Sequence, residues 1–155
     1  MDFVVFRWIG RVVLCMIPVI AVSLPVGAAP PGLNPCALVT TAEVELVIGK
    51  LRGAPKGETL ADAKSCTYEF ANGQDEFEIW ISPGDAFARM RKDAKNPVTV
   101  GGFGEEAFMD RGRLELGSLE LTMRKGAVLA QLSIREGAGD EAKLKALAQK
   151  AVGRM

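Results

Sequence analysis

The stretch Cys66-Thr67-Tyr68-Glu69-Phe70-Ala71-Asn72-Gly73-Gln74-Asp75-Glu76-Phe77-Glu78-Ile79-Trp80-Ile81 decides the fold. Polar and apolar residues alternate on both sides of Ala71-Asn72-Gly73-Gln74. A period of two marks a half-buried strand, and asparagine followed by glycine tolerates the positive φ of a tight hairpin. Strands joined this closely are antiparallel. Phe77, Ile79 and Ile81 then share one face, while Glu76, Glu78 and Trp80 share the other.

On the C-terminal side, Ser82-Pro83-Gly84-Asp85 predicts a helix start, with serine as cap, proline in the first turn and aspartate near the positive end of the dipole. Phe87, Met90 and Ala94 form its inner side, and Asn96-Pro97 ends it. Val98 and Val100 predict a short strand, broken by Gly101-Gly102-Phe103-Gly104. Glu106 to Asp110 and Leu114 to Met123 predict strands about the turn Asp110-Arg111-Gly112-Arg113. The apolar parity changes within the second of these, which places a bulge at Gly117-Ser118. Arg124-Lys125-Gly126 turns the chain into Val128, Ala130, Leu132 and Ile134. A final helix is expected from Asp140 to Val152, with Leu144, Leu147, Ala148 and Ala151 as its inner stripe and Gly153 as its stop.

On the N-terminal side, Thr40-Thr41-Ala42-Glu43 has the form of a capping box. Val44, Val47 and Ile48 follow at helical spacing, and Gly49 closes this short helix. Lys50 to Lys64 shows no period and is expected to be a loop. The expected fold is therefore α+β, in the order α-β-β-α-β-β-β-β-α, an antiparallel sheet of about five strands with three helices packed on it.

The first residues fit an export signal. Arg7 and Arg11 precede an apolar run from Val12 to Val22, and small residues follow at Gly27, Ala28 and Ala29. These are the parts of a secretory signal peptide, with cleavage expected after Ala28. That gives residues 1–28 as signal peptide, 29–35 as a flexible Pro/Gly-rich lead and 36–153 as one α+β domain. The alternative is an uncleaved anchor, since Val12 to Ala29 is just long enough to cross about 30 Å of hydrocarbon, although Pro18, Ser23 and Pro25 interrupt it. Cys15 follows Val12-Val13-Leu14 and belongs to the apolar run. Arg7, Arg11 and Asp2 leave with the segment, and the remainder is within one charge of neutral. Such a chain has no general attraction for nucleic acid or an acidic membrane. The membrane is an expected partner only if the N-terminal segment stays attached.

Of the three cysteines, Cys36 and Cys66 remain beyond the signal. A lone pair in an oxidising compartment becomes a disulfide, here tying the entrance of the first helix to the start of the first strand. Closing a loop of this length is worth about 3–4 kcal/mol in the chain-entropy picture. The expected location is periplasmic or extracellular. A redox-active pair is the rival reading, but C-x-x-C spacing and a neighbouring histidine are both missing. The chain contains no histidine at all, which removes imidazole-based metal sites and catalytic triads. No metal, cofactor or catalytic residue is expected.

The run Asn34-Pro35-Cys36-Ala37-Leu38-Val39-Thr40-Thr41-Ala42-Glu43-Val44, then Ile48-Gly49, then Cys66-Thr67-Tyr68, resembles the small exported proteins of the domain-of-unknown-function 3558 group, mostly actinobacterial lipoproteins. The resemblance covers most of the chain beyond the signal and is sharpest from Asn34 to Tyr68. It implies an exported α+β domain with a disulfide, and it implies no activity. The chain departs from the group in lacking a lipid-attachment cysteine.

Gly101-Gly102-Phe103-Gly104 lacks the following helix and the lysine of a phosphate loop and is expected to be a turn or bulge. Glu69, Glu76 and Glu78 line a strand face where carboxylates are ordinarily just solvated; Glu76 and Glu78 would be the pair used by a carboxylate-only envelope glycan hydrolase. Trp80 shares their parity and points away from the apolar face, where an indole anchors ligands or partners unless a helix or loop covers it. Arg89, Arg91, Lys92 and Lys95 give the second helix a basic side, suited to an anionic envelope polymer or lipid head group, or simply to water. The function expected is a non-enzymatic exported binding domain of the cell envelope, with Trp80, Glu78, Arg89 and Lys92 as contact residues and an envelope protein or polymer as partner; the alternatives are the carboxylate-only glycan hydrolase and an uncleaved membrane-anchored accessory subunit.

Overall fold

The computed structural model describes residues 32–73, 76–111, 118–135 and 141–155. The expected signal peptide, residues 29–31 of the expected lead and Gly117 of the expected bulge lie outside them, as does the start of the strand expected from Leu114.

Among the described residues, seven strands form one antiparallel sheet: β1 (Lys56–Leu60), β2 (Ala63–Glu69), β3 (Glu76–Pro83), β4 (Pro97–Thr99), β5 (Glu106–Asp110), β6 (Ser118–Lys125) and β7 (Val128–Arg135). Their spatial order is β1-β2-β3-β7-β6-β5-β4. The α-helices of the described residues are α1 (Pro35–Leu38), α2 (Thr41–Val47), α3 (Phe87–Asp93) and α4 (Glu141–Arg154). The α+β class and the antiparallel sheet agree with the expectation, and the counts are corrected from about five strands and three helices.

Three boundaries differ from the sequence reading. Lys50–Lys64 is not all loop, because Lys56–Leu60 pairs with β2 as an edge strand. Ser82 and Pro83 do not start a helix. They extend β3 opposite Leu129 and Val128, and a 3-10 turn at Gly84–Ala86 then leads into α3. Gly153 does not stop the last helix, which runs on through Arg154. Cys66 lies in the middle of β2 and Cys36 inside α1, where Asn34 caps the Cys36 N–H.

The β2–β3 hairpin carries the core. Cys66, Tyr68, Phe77, Ile79 and Ile81 point to one face, joined by Leu132 and Ile134 of β7 and Leu121 and Met123 of β6. α1, α2 and α4 cover this inner face through Leu38, Val44, Leu144, Leu147, Ala148 and Ala151. Phe103, within the glycine-rich loop, is buried in the same core. Gly104 has φ +80° and a Cβ there would sit 2.4 Å from the Arg124 carbonyl oxygen, so that loop is held against β6 and leads into β5, not into a helix.

The N-terminal corner is tied from several sides. Cys36 and Cys66 form a disulfide. The Tyr68 hydroxyl donates to the Val39 carbonyl from inside the core, and burial pushes its pKa up to about 12. The capping box forms as the sequence predicts: the Glu43 N–H donates to the Thr40 hydroxyl, and the Thr40 N–H donates to the Glu43 carboxylate. Arg154 at the end of α4 reaches the same carboxylate through both guanidinium nitrogens, at 2.7 and 2.8 Å, and also donates to the Leu38 carbonyl.

Candidate functional site

The outer face of the sheet is the polar one. Antiparallel register sets its residues in rows across the strands. One row runs Glu58, Ser65, Trp80, Gln131, Thr122, Phe108. The next runs Lys56, Thr67, Glu78, Ser133, Glu120, Asp110. Trp80 and Glu78 therefore stand beside each other on one face, as their parity predicts, and both are half-buried.

One helix lies on this face, and it covers only part of it. Phe87 of α3 is buried against Phe108 of β5 and Leu129 of β7, with Met90 and Ala94 packed alongside. The rings of Phe87 and Phe108 meet edge to face, 5.4 Å apart. α3 thus sits over β5, β6 and β7. Among the described residues, no helix covers the outer side of β1, β2 and β3.

A cleft of about 160 Å³ opens between α3 and the sheet. Its lining combines an apolar wall of Met90 and Phe108 with Asp93, Asp110, Glu120 and Gln131. Asp110 and Glu120 face each other across β5 and β6 and are only 4% and 8% exposed. Each is engaged. Asp110 accepts the backbone N–H groups of Lys95 and Asn96, which fixes the turn after α3, and Glu120 accepts the Gln131 amide at 2.6 Å. Among the described residues, no group of three or more Cys, Asp or Glu is placed to hold a metal ion.

The sequence-predicted residues fall into two sets. Trp80, Glu78 and Glu76 are on the sheet, where Glu76 pairs with Arg135 at 2.7 Å and Glu78 accepts from the Thr67 hydroxyl at 3.3 Å. Glu69 pairs with Lys56, which holds its carboxyl below the usual range. Arg89 and Lys92 are on the exposed side of α3, away from the sheet, while Arg91 donates to the Thr99 hydroxyl. The two sets share one side of the molecule without touching. Sequence reading missed Asp110 and Glu120. Glu120 alternates with Leu119 and Leu121 like any solvated strand residue, and only the passage of α3 buries it.

No family model matches this chain, and no curated protein matches it. Among solved structures it is similar to a GTP-binding regulator from Thermotoga maritima, at 11% sequence identity and a TM-score of 0.44, over 77% of this chain and 93% of that one.

Proposed function

We propose that this chain is an exported, non-enzymatic interaction domain of the cell envelope, working through the outer sheet face around Trp80. Membership of the domain-of-unknown-function 3558 group is part of the same proposal. The observation that carries it is the half-exposed indole of Trp80, set between Ser65 and Gln131 on a part of the sheet that no described helix covers. Indoles in such positions give a partner a large rigid apolar surface with one polar edge. The disulfide supports a periplasmic or extracellular setting, because such bonds persist where thiols are not kept reduced. No described helix is long and apolar enough to cross a membrane.

A carboxylate-only hydrolase is the weaker reading. Glu76 is held by Arg135, and Asp110 is committed to the backbone of the α3–β4 turn. Glycan turnover by the purified protein, lost in Glu78→Gln, would promote it.

Trp80 is the only tryptophan beyond residue 28, so its emission reports directly on the proposed face. Titration with solubilised envelope fractions is expected to shift that emission, and immobilised protein is expected to retain a partner. Trp80→Ala, with parental circular dichroism and melting, is expected to lose the partner. Retention equal to that of the parent protein would sink the proposal.

A further inference from the structure

The outer face has a raised half and a low half. α3 forms the raised half over β5 to β7, and β1 to β3 form a shelf beside it, lower by one helix, about 10 Å. Glu58, Trp80 and Glu78 lie on the shelf, and Leu60 stands 56% exposed at its rim. Arg89 and Lys92, one turn apart, crown α3, because Phe87, Met90 and Ala94 take up the side toward the sheet. Arg89, Lys92 and Glu58 are all exposed, and their side chains make no hydrogen bond or ion pair with any described residue.

We propose that the shelf receives α3 of a second copy of this chain, and that the reverse contact forms at the same time about a two-fold axis. A surface with one raised and one low half is complementary to itself under such a rotation, and the pair closes without growing into a chain. The charges select this arrangement. Cations at the crown meet Glu58 and Glu78, while shelf on shelf opposes carboxylates and crown on crown opposes cations. The Trp80 face would give the stem and head of an incoming Arg89 or Lys92 a place to rest, combining apolar contact with cation–π attraction. The proposal names the partner of the Trp80 face and rests on the reading of that face as a binding surface.

The test is the mass of the purified chain in solution across concentration. For a face of this modest size, a dimer with a dissociation constant on the order of 10 µM at low salt is expected, weakening as salt screens the contacts. Arg89→Glu with Lys92→Glu, and separately Glu58→Lys with Glu78→Lys, should each weaken the dimer by at least about tenfold. Mixing the two variants should restore a mixed dimer, which a misfolded variant would not do. A chain that stays monomeric at about a hundred times that concentration, or a dimer indifferent to both reversals, would overturn the proposal. A monomer that still retains an envelope partner through Trp80 would overturn only this inference and leave the interaction reading standing.

Discussion

On its inner face the sheet carries Cys66, Tyr68, Phe77, Ile79 and Leu132 under three helices, and every one of these residues is at most 1% exposed. On its outer face it carries Thr67, Glu76, Glu78, Trp80 and Ser133, all half-exposed, with a single seven-residue helix over the far strands. The same backbone serves both faces, so the buried core and the proposed binding surface are separated by parity. The inner face excludes water and is reinforced by covalent and ionic ties at one corner. The outer face buries Asp110, Glu120 and Thr122 beside α3 and leaves Thr67, Glu76, Glu78 and Trp80 partly open to solvent.

Substitutions should reveal this division. Phe77→Ala removes a fully buried ring in contact with Tyr68 and should cost about 3–5 kcal/mol in denaturant unfolding. Next comes the disulfide, which spans 30 positions: Cys36→Ser with Cys66→Ser should cost about 3–4 kcal/mol through the freed unfolded chain. A loss under about 1 kcal/mol would mean that the corner is held by packing alone.

Acid should attack the corner before the core. Hydrogen bonds from Arg154, and then from the Thr40 backbone, hold the Glu43 carboxyl down from 4.5 to about 2. A pKa lowered by folding stabilises the folded state fully above the unfolded value, and that stability fades as pH falls from about 4.5 toward 2. Glu43→Gln keeps the form of the cap but loses the charge, so its melting temperature should depend less on pH across that window than the parent's. Parallel pH profiles for the two proteins would show that the ion pair adds nothing.

The smallest effects belong away from the core. Ala61, in the β1–β2 turn, has φ +54°, a region that a residue with a Cβ enters at a cost. Ala61→Gly should raise stability by about 0.5–1 kcal/mol. Glu78→Ala on the outer face should change stability by no more than about 0.5 kcal/mol. A larger loss there would show the outer face to be structural and would blur the division.

The inner face was legible because burial writes a period into the sequence. Phe77-Glu78-Ile79-Trp80-Ile81 and Leu144, Leu147, Ala148 and Ala151 show which sides turn inward before any coordinates are seen. The capping box was legible because its chemistry is local. β1 was not, because all five of its residues are exposed and its pairing comes from the backbone of β2. Ser82 and Pro83 carry good helix-start chemistry, yet β7 lies beside them and the ladder continues through both residues. Half of the candidate site was readable from parity at Trp80 and Glu78. The other half, the cleft beneath α3, was harder to read: its one mark on the strands is the pair of apolar residues at outward positions, Phe108 and Leu129, while Glu120 alternates as a solvated residue would.

The strand order has one further consequence. β1 to β3 and β4 to β7 each zip up from local hairpins, but the two sets meet only where β3 lies against β7, with Phe77 opposite Ile134 and Ile79 opposite Leu132. Neither set can hide its apolar side alone, so the nascent chain must carry an exposed hydrophobic seam until the second set is complete. That interval is when the chain is most open to aggregation or to capture by a chaperone.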